Sequence, residues 1–245
     1  MNVVMIVQNR LSLTRQSIES LIRNTIRPFT LTIVDDCSQP ETANWLQGLQ
    51  HYYLQNELHL QKLIVTRNSE CKGVGGSKNA AVEITRGLCG KKDLLYISDN
   101  DVYFTPAWDV VAAQMQMCYG DKVKVIGAYN HPYHQPTWTA SFRVAGFNGD
   151  YTMTGRESVS GVSWLLTWDT WEEFGPLDDK ARGVRMSEDH EFCQKAKKAG
   201  YEVGAIEPWV VHHCGLIDSF GQRPPGWEIM GPTPEQIQRY GLVVE

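Results

Sequence analysis

The chain has no apolar run approaching the roughly 20 residues that a membrane-spanning helix needs, so no transmembrane segment is expected. It has no basic and then apolar leader. Asn2-Val3-Val4-Met5-Ile6-Val7 already reads as a strand, so no secretory signal and a cytoplasmic location are expected. The six cysteines (Cys37, Cys71, Cys89, Cys118, Cys193, Cys214) show neither Cys-x-x-Cys pairing nor zinc spacing, which predicts reduced thiols. An excess of positive charge is also missing. Twenty-three Lys and Arg against 28 Asp and Glu give a net charge of -5, with no global pull toward nucleic acid or an anionic membrane. There is no Walker loop, no Gly-x-Gly-x-x-Gly fingerprint and no internal repeat.

What is present is a chain of 245 residues, 42% hydrophobic and 21% charged, long enough to bury a large α/β core. Apolar periodicity predicts strands over 3–7, 30–34, 62–66 and 94–98, alternating with helices over 14–24, 41–49 and 77–86. Ile18, Leu21 and Ile22 mark the buried face of the first helix. That order requires a mostly parallel sheet covered by helices. The second half reads differently. Residues 129–161 are rich in Gly, Pro, His and aromatics and suggest loops and short strands. A strand is expected over 159–167, a helix over 169–174, a helix over 188–199, and short strands over 201–206 and 209–212. The natural division lies near Thr105, giving halves 1–105 and 106–245.

The most informative segment is Leu94-Leu95-Tyr96-Ile97-Ser98-Asp99-Asn100-Asp101. An apolar strand delivers two carboxylates to its C-terminal end, where open α/β sheets bind ligands. On an extended backbone Asp99 and Asp101 would face the same side. Two such carboxylates call for a cation, and a hard divalent ion, Mg2+ or Mn2+, shared with a diphosphate, suits them. Asp-x-Asp alone also occurs in solvated turns.

Three other segments fall in order around it. Ile33-Val34-Asp35-Asp36-Cys37-Ser38 ends a strand in acids. An acid there can accept the N3–H of uracil or thymine, or a ribose hydroxyl; equally, Ser38 or Asp36 would serve as a helix N-cap. Gly73, Gly75, Gly76, Ser77, Lys78 and Asn79 make a glycine-rich approach to a helix. Its backbone can come close to an anion and Lys78 adds charge; a plain flexible turn has the same composition. Ser187-Glu188-Asp189-His190-Glu191 opens a later helix with acids, which could equally be favourable charges on a first turn.

This order resembles the inverting glycosyltransferases of the GT-A fold, specifically the large family 2 group, over roughly residues 2–215. Members commonly carry Asp-Asp-Gly-Ser, Ala-Arg-Asn, Asp-x-Asp and Glu-Asp in these places. Here they read Asp35-Asp36-Cys37-Ser38, Ser77-Lys78-Asn79, Asp99-Asn100-Asp101 and Glu188-Asp189, with Val7-Gln8-Asn9-Arg10 where many have Thr-Tyr-Asn-Arg. Cys37 stands in for the usual Gly and Lys78 for the usual Arg.

The resemblance implies a nucleotide-sugar-binding half, 1–105, and an acceptor-binding half, 106–245, of one GT-A domain. It implies a UDP-type donor held by Val7, Asn9, Asp36, Gly76, Lys78, Asp99 and Asn100. Asp189 would be the base of a single displacement, and Glu188 would help position the acceptor. Asp101 would hold the metal, joined by His212 or His213 in Trp209-Val210-Val211-His212-His213-Cys214-Gly215. A strand makes adjacent histidines face oppositely, so at most one of them should ligate, and the family pattern leans to His212, with His213 close behind. Trp164 is the expected acceptor-site tryptophan and Arg223 an expected phosphate contact on a tail that could fold over the donor. The acceptor is open among a glycan, a lipid-linked sugar, a protein and a modified nucleic-acid base. Two other functions compete: a metal-dependent nucleotidyltransferase, against which the glycine-free Val7-Gln8-Asn9-Arg10-Leu11 counts, and a non-catalytic nucleotide- or sugar-binding module.

Overall fold

A strand of six fully buried residues, β1 (Asn2–Val7), forms the middle of the first half. In the computed structural model, which describes residues 1–53, 58–88, 90, 93–130, 135–144, 150–179, 188–216 and 231–245, it is followed by α1 (Leu11–Asn24), β2 (Phe29–Asp35), α2 (Pro40–Tyr53), β3 (Leu60–Arg67), α3 (Gly73–Thr85), a short 3-10 turn and β4 (Leu94–Ser98). These strands lie side by side in parallel in the order β3-β2-β1-β4. Both faces of β1, β2 and β4 are covered by helices, which is why these strands are almost entirely buried, whereas the edge strand β3 exposes Gln61 and Lys62. On α1, Leu13, Ile18, Leu21 and Ile22 recur at helical spacing and are buried.

The second half supplies β5 (Val102–Phe104), α4 (Trp108–Tyr119), β6 (Val123–Gly127), β7 (Trp138–Arg143), β8 (Asp150–Arg156), β9 (Ser163–Thr167), α5 (Trp168–Phe174), α6 (Glu188–Lys198), β10 (Glu202–Glu207), β11 (Val211–His213) and α7 (Pro234–Tyr240). The large sheet continues without a break as β4-β9-β6-β10-β8-β7. Here β9 runs antiparallel to both β4 and β6, and β8 runs antiparallel to β10 and β7. The sheet is therefore mixed: all parallel in its first half, while in the second half β6 and β10 pair in parallel and the other pairs are antiparallel. β5 and β11 form a separate two-stranded ribbon.

Several boundaries differ from the sequence reading. The third helix starts at Gly73, four residues before the expected 77, because Asp36 takes up the first amides, those of Lys72 and Gly73. The stretch 129–161 contains two full-length strands, β7 and β8. The strand expected over 159–167 is confined to β9. Four elements were not read from the sequence at all: β5, α4, β6 and α7.

Beneath the end of β4 the rings of Tyr96, Phe104 and Trp108 pack with centroids 4.4–5.8 Å apart. Pairs of this kind contribute about 0.5–1.5 kcal/mol each beyond their buried area. They join β4, β5 and α4 into one rigid base, and the Asp99–Asp101 turn stands on it.

Candidate active site

The turn between β4 and β5 carries Asp99, Asn100 and Asp101. Because β4 ends at Ser98, the backbone there is not extended, and the two acids do not share partners as the alternation argument expected. Asp99 turns toward α3 and Asp101 toward β11. Asn100 is used to hold the turn in place. Its Nδ2 donates to Thr14 Oγ1 (2.7 Å) and the Asn9 carbonyl (3.3 Å), and its own carbonyl accepts from Ser17 Oγ (2.8 Å).

Asp101 Oδ2 receives Arg10 Nη1 at 2.6 Å and lies 3.3 Å from His213 Nε2. The segment after β11 is tied to the same residue, since the Cys214 amide donates to the Asp101 carbonyl (2.8 Å). Burial would push the Asp101 carboxyl up, but His213 and Arg10 outweigh it and hold the group below its ordinary value. A Cβ on Gly215 would run into this carboxylate and come within 2.8 Å of Arg10 Nη1, so only glycine lets the chain pass there.

Asp99 belongs to a second cluster. The Lys78 ammonium, 1% exposed, lies 3.1 Å from Asp99 Oδ1 and 3.9 Å from Glu188 Oε1. It also donates to the Gly161 carbonyl at 2.8 Å. The amide of Gly161 donates to Asp189 Oδ2 (2.8 Å), and Asp189 Oδ1 accepts from the His190 amide (2.7 Å). One buried cation thus links the turn after β4 to the first residues of α6. Burial alone would lower the Lys78 value. Asp99, Glu188 and Asp189 reverse that and raise it. Asp99 is raised by burial; Lys78 opposes the shift, and Asp101 and Glu188 add to it. A Cβ on Gly161 would sit 2.9 Å from Asp189 Cβ, so glycine is again what permits the approach.

On the other side, Asp36 follows β2. Its Oδ1 accepts from Asn68 Nδ2 (2.9 Å) and the Lys72 amide (2.8 Å), and its Oδ2 from the Gly73 amide (2.9 Å). Asp36 therefore binds the first amides of α3 from across the loop, not those of the helix that follows it in sequence, where the sequence reading would have put a cap, and its Oδ2 accepts one bond. Val7 ends β1, and its carbonyl accepts the Asp36 amide (2.8 Å). Asn9 and Arg10 both take left-handed backbone angles, φ 58° and 54°. Asn9 is fixed there because its amide donates to Ser38 Oγ and its Oδ1 accepts from the Gln39 amide. Gly76 is buried on the first turn of α3.

Three expectations need correction. Trp164 is fully buried and packs on Phe192, ring centroids 5.3 Å apart, in the core between β9 and α6, so its ring is closed to an acceptor. Lys78 points inward among carboxylates, leaving no exposed ammonium for a phosphate. Of the two histidines it is His213, not His212, that meets Asp101. The register of β11 against β5 pairs His213 with Val102 and His212 with Tyr103. His212 therefore faces away, 5.7 Å from the Tyr240 ring, and burial pushes it down to about 4. Arg223 lies outside the described residues. Arg10, Gly161 and Gly215 received no role from the sequence. Arg10 was visible in the Asn9-Arg10 pair, whereas the two glycines gave no local signal.

Among the described residues no group of three or more His, Cys, Asp and Glu gathers as a complete metal cage. Asp101 nevertheless fits a hard cation shared with a ligand. Its Oδ1 is buried without a hydrogen-bond partner, His213 stands beside Oδ2, and carboxylate with imidazole suits Mn2+.

A parallel β3-β2-β1-β4 sheet with acids beyond the carboxyl end of β4 is the arrangement of nucleotide-binding α/β folds, and the similar solved structures place this one in the GT-A class. The sequence model named Glycosyl transferase family 2 matches residues 2–148, and the chain belongs to that family. A comparison with curated protein sequences finds no match. Among solved structures, the fold is similar to the mannosyltransferase PcManGT from Pyrobaculum calidifontis, in complex with GDP-Man and Mn2+ (14% identity, 83% of this chain and 55% of that chain, TM-score 0.57). It is similar to TarS of S. aureus (15% identity, 83% and 34%, TM-score 0.58). It is also similar to GalNAc-T7 with UDP, GalNAc and Mn2+ (16% identity, 86% and 43%, TM-score 0.58). The chain thus spans between 34% and 55% of the length of these proteins.

Proposed function

We propose that the chain moves a glycosyl group from a UDP-type nucleotide sugar to an acceptor hydroxyl, with inversion, in a single displacement assisted by a divalent cation. The observation that carries this reading is the position of Lys78. Acids of the donor turn (Asp99) and of the α6 start (Glu188) meet around its one buried ammonium, as a reaction between two substrates at one sheet end requires. The donor half is 1–105 and the acceptor half 106–245.

Asp36 Oδ2 has a lone pair left for a base N3–H, and the loop at Asn9 and the start of α3 at Gly76 line the same side. Asp189 accepts the proton of the attacking hydroxyl, which needs a carboxylate within hydrogen-bond reach of it. The Gly161 and His190 amides hold that carboxylate in one orientation, and Glu188 positions the acceptor. Asp101 and His213 would hold Mn2+ or Mg2+, which when bound offsets the charge developing on the leaving diphosphate. The described cysteines are all free thiols, which suits a cytoplasmic setting. No helix among the described residues is long and apolar enough to cross a membrane.

The test is a screen of nucleotide sugars with and without Mn2+. Release of a nucleoside diphosphate that depends on Asp101 is expected. Release of pyrophosphate would replace this reading with nucleotidyl transfer, and absence of turnover with all donors would leave a binding module.

A further inference from the structure

The geometry points to Arg10 as the resident counter-ion of Asp101, one that yields its place to the divalent cation and turns its guanidinium to the donor diphosphate. This inference rests on the reading of Asp101 as the metal carboxylate.

Arg10 Nη1 sits 2.6 Å from Asp101 Oδ2, the oxygen that also faces His213 Nε2 at 3.3 Å. The guanidinium therefore shares the oxygen that a cation bound between Asp101 and His213 would use. Its placement is built into the backbone. Two successive left-handed residues, Asn9 and Arg10, turn the chain sharply out of β1. The Asn9 carbonyl accepts from Thr14 Oγ1 (3.0 Å) and Asn100 Nδ2 (3.3 Å), so the loop that bears Arg10 is bonded to the turn that bears Asp101. Non-glycine residues rarely hold this conformation, and such residues cluster where ligands are clamped. Gly215 closes the far side of the pair.

The Arg10 guanidinium balances the single charge of Asp101 but reaches only Oδ2, and the buried Oδ1 keeps no hydrogen-bond partner. A divalent ion can engage both oxygens and brings an excess positive charge for a diphosphate. Arg10 and the ion then repel each other at one oxygen, and the guanidinium must leave. Its planar fork of N–H donors matches two phosphate oxygens at once, and a diphosphate that shares the ion lies beside it.

The experiment measures Mn2+ affinity by electron paramagnetic resonance without nucleotide, and nucleoside diphosphate affinity by calorimetry at saturating Mn2+. In Arg10→Met the ion no longer competes, so Mn2+ alone should bind about tenfold more tightly. The diphosphate should bind about tenfold more weakly, because the fork is gone. Arg10→Lys keeps the charge and loses the fork. It should leave the affinity for Mn2+ alone near that of the parent while still weakening the diphosphate. Equal Mn2+ affinity in the parent and Arg10→Met, with binding abolished by Asp101→Asn, overturns the role of Arg10 and leaves the metal site standing. Mn2+ binding that survives Asp101→Asn overturns the metal-carboxylate reading, and this inference with it. Should Arg10→Met fail to fold, the lysine variant decides: unchanged diphosphate affinity overturns the inference.

Discussion

Lys78 Nζ lies 3.1 Å from Asp99 Oδ1, and the lysine is 1% exposed. A buried ammonium is tolerated only with carboxylates and carbonyls around it, and Asp99, Glu188 and the Gly161 carbonyl provide them. Lys78→Met removes the cation and leaves those carboxylates facing one another without it. The expected cost is about 3–5 kcal/mol of folding stability, read by urea denaturation. Adding Asp99→Asn to that variant should recover part of the loss, since one of the stranded charges goes too. Additive losses would show that the pair is not coupled.

Asp36 presents a different balance. Three hydrogen bonds, from Asn68 and from the Lys72 and Gly73 amides, already reach its carboxylate. Asp36→Asn replaces one accepting oxygen by a donor that must oppose an N–H. We expect a stability loss of about 1–3 kcal/mol without any nucleotide, seen as a lower thermal midpoint, in addition to a narrowed preference between nucleobases. A change in nucleotide preference at unchanged stability would assign Asp36 to the base alone.

The first half was legible because its strands are buried on both faces and its helices on one. β1, β2 and β4 show as apolar runs, and α1 as a stripe. The acids after β2 and β4 were legible as well, because a run that stops abruptly in carboxylates marks a strand end. What the sequence could not supply was pairing. β9 lies antiparallel between β4 and β6, far apart in the chain, and that placement brings Gly161 to Lys78 and Asp189. The choice between His212 and His213 needed the register of β11 on β5, since one step of register exchanges the two faces. Trp164 misled because an aromatic beside a glycine looks available, yet β9 is covered on both sides. An interior lysine such as Lys78 leaves no periodic trace.

Gly215 permits the contact between Asp101 and its neighbours. In Gly215→Ala the added methyl meets the Asp101 carboxylate and Arg10. Overpacking of this kind costs about 1–3 kcal/mol, and here the strain falls on the carboxylate proposed to hold the cation. Mn2+ affinity should drop while circular dichroism stays that of the parent. Parent-like affinity would mean that Asp101 does not face the ion.

His212, pushed down to about 4 from an ordinary 6.5 by burial, is neutral in the folded chain and takes up a proton more readily when unfolded. The unfolded state therefore binds more protons between these two values. Stability is full above pH 6.5 and is lost as pH falls toward 4, by roughly 3 kcal/mol over that window. His212→Phe keeps an aromatic against Tyr240 and removes the titration. Its urea midpoint should fall less steeply from pH 6.5 to 4 than that of the parent; identical slopes would assign the acid sensitivity to another group.

Asp189 carries the most specific chemical claim. Its carboxylate is oriented by the Gly161 amide on one oxygen and the His190 amide on the other, and α6 brings it in beside Glu188. Asp189→Asn keeps the size of the group and one of the two acceptor atoms but cannot take a proton at neutral pH. Donor and cation binding should survive, because Asp36, Asp99 and Asp101 lie on other elements. Transfer should fall by roughly two to four orders of magnitude, the scale of losing a positioned base. Glu188→Gln should instead raise the acceptor KM with a smaller change in kcat, since Glu188 approaches Lys78 and is assigned to positioning. A large fall in kcat with Glu188→Gln and a small one with Asp189→Asn would move the base one residue upstream. Near-parent transfer in both variants would reduce the Glu188-Asp189 pair to favourable charges at the start of a helix.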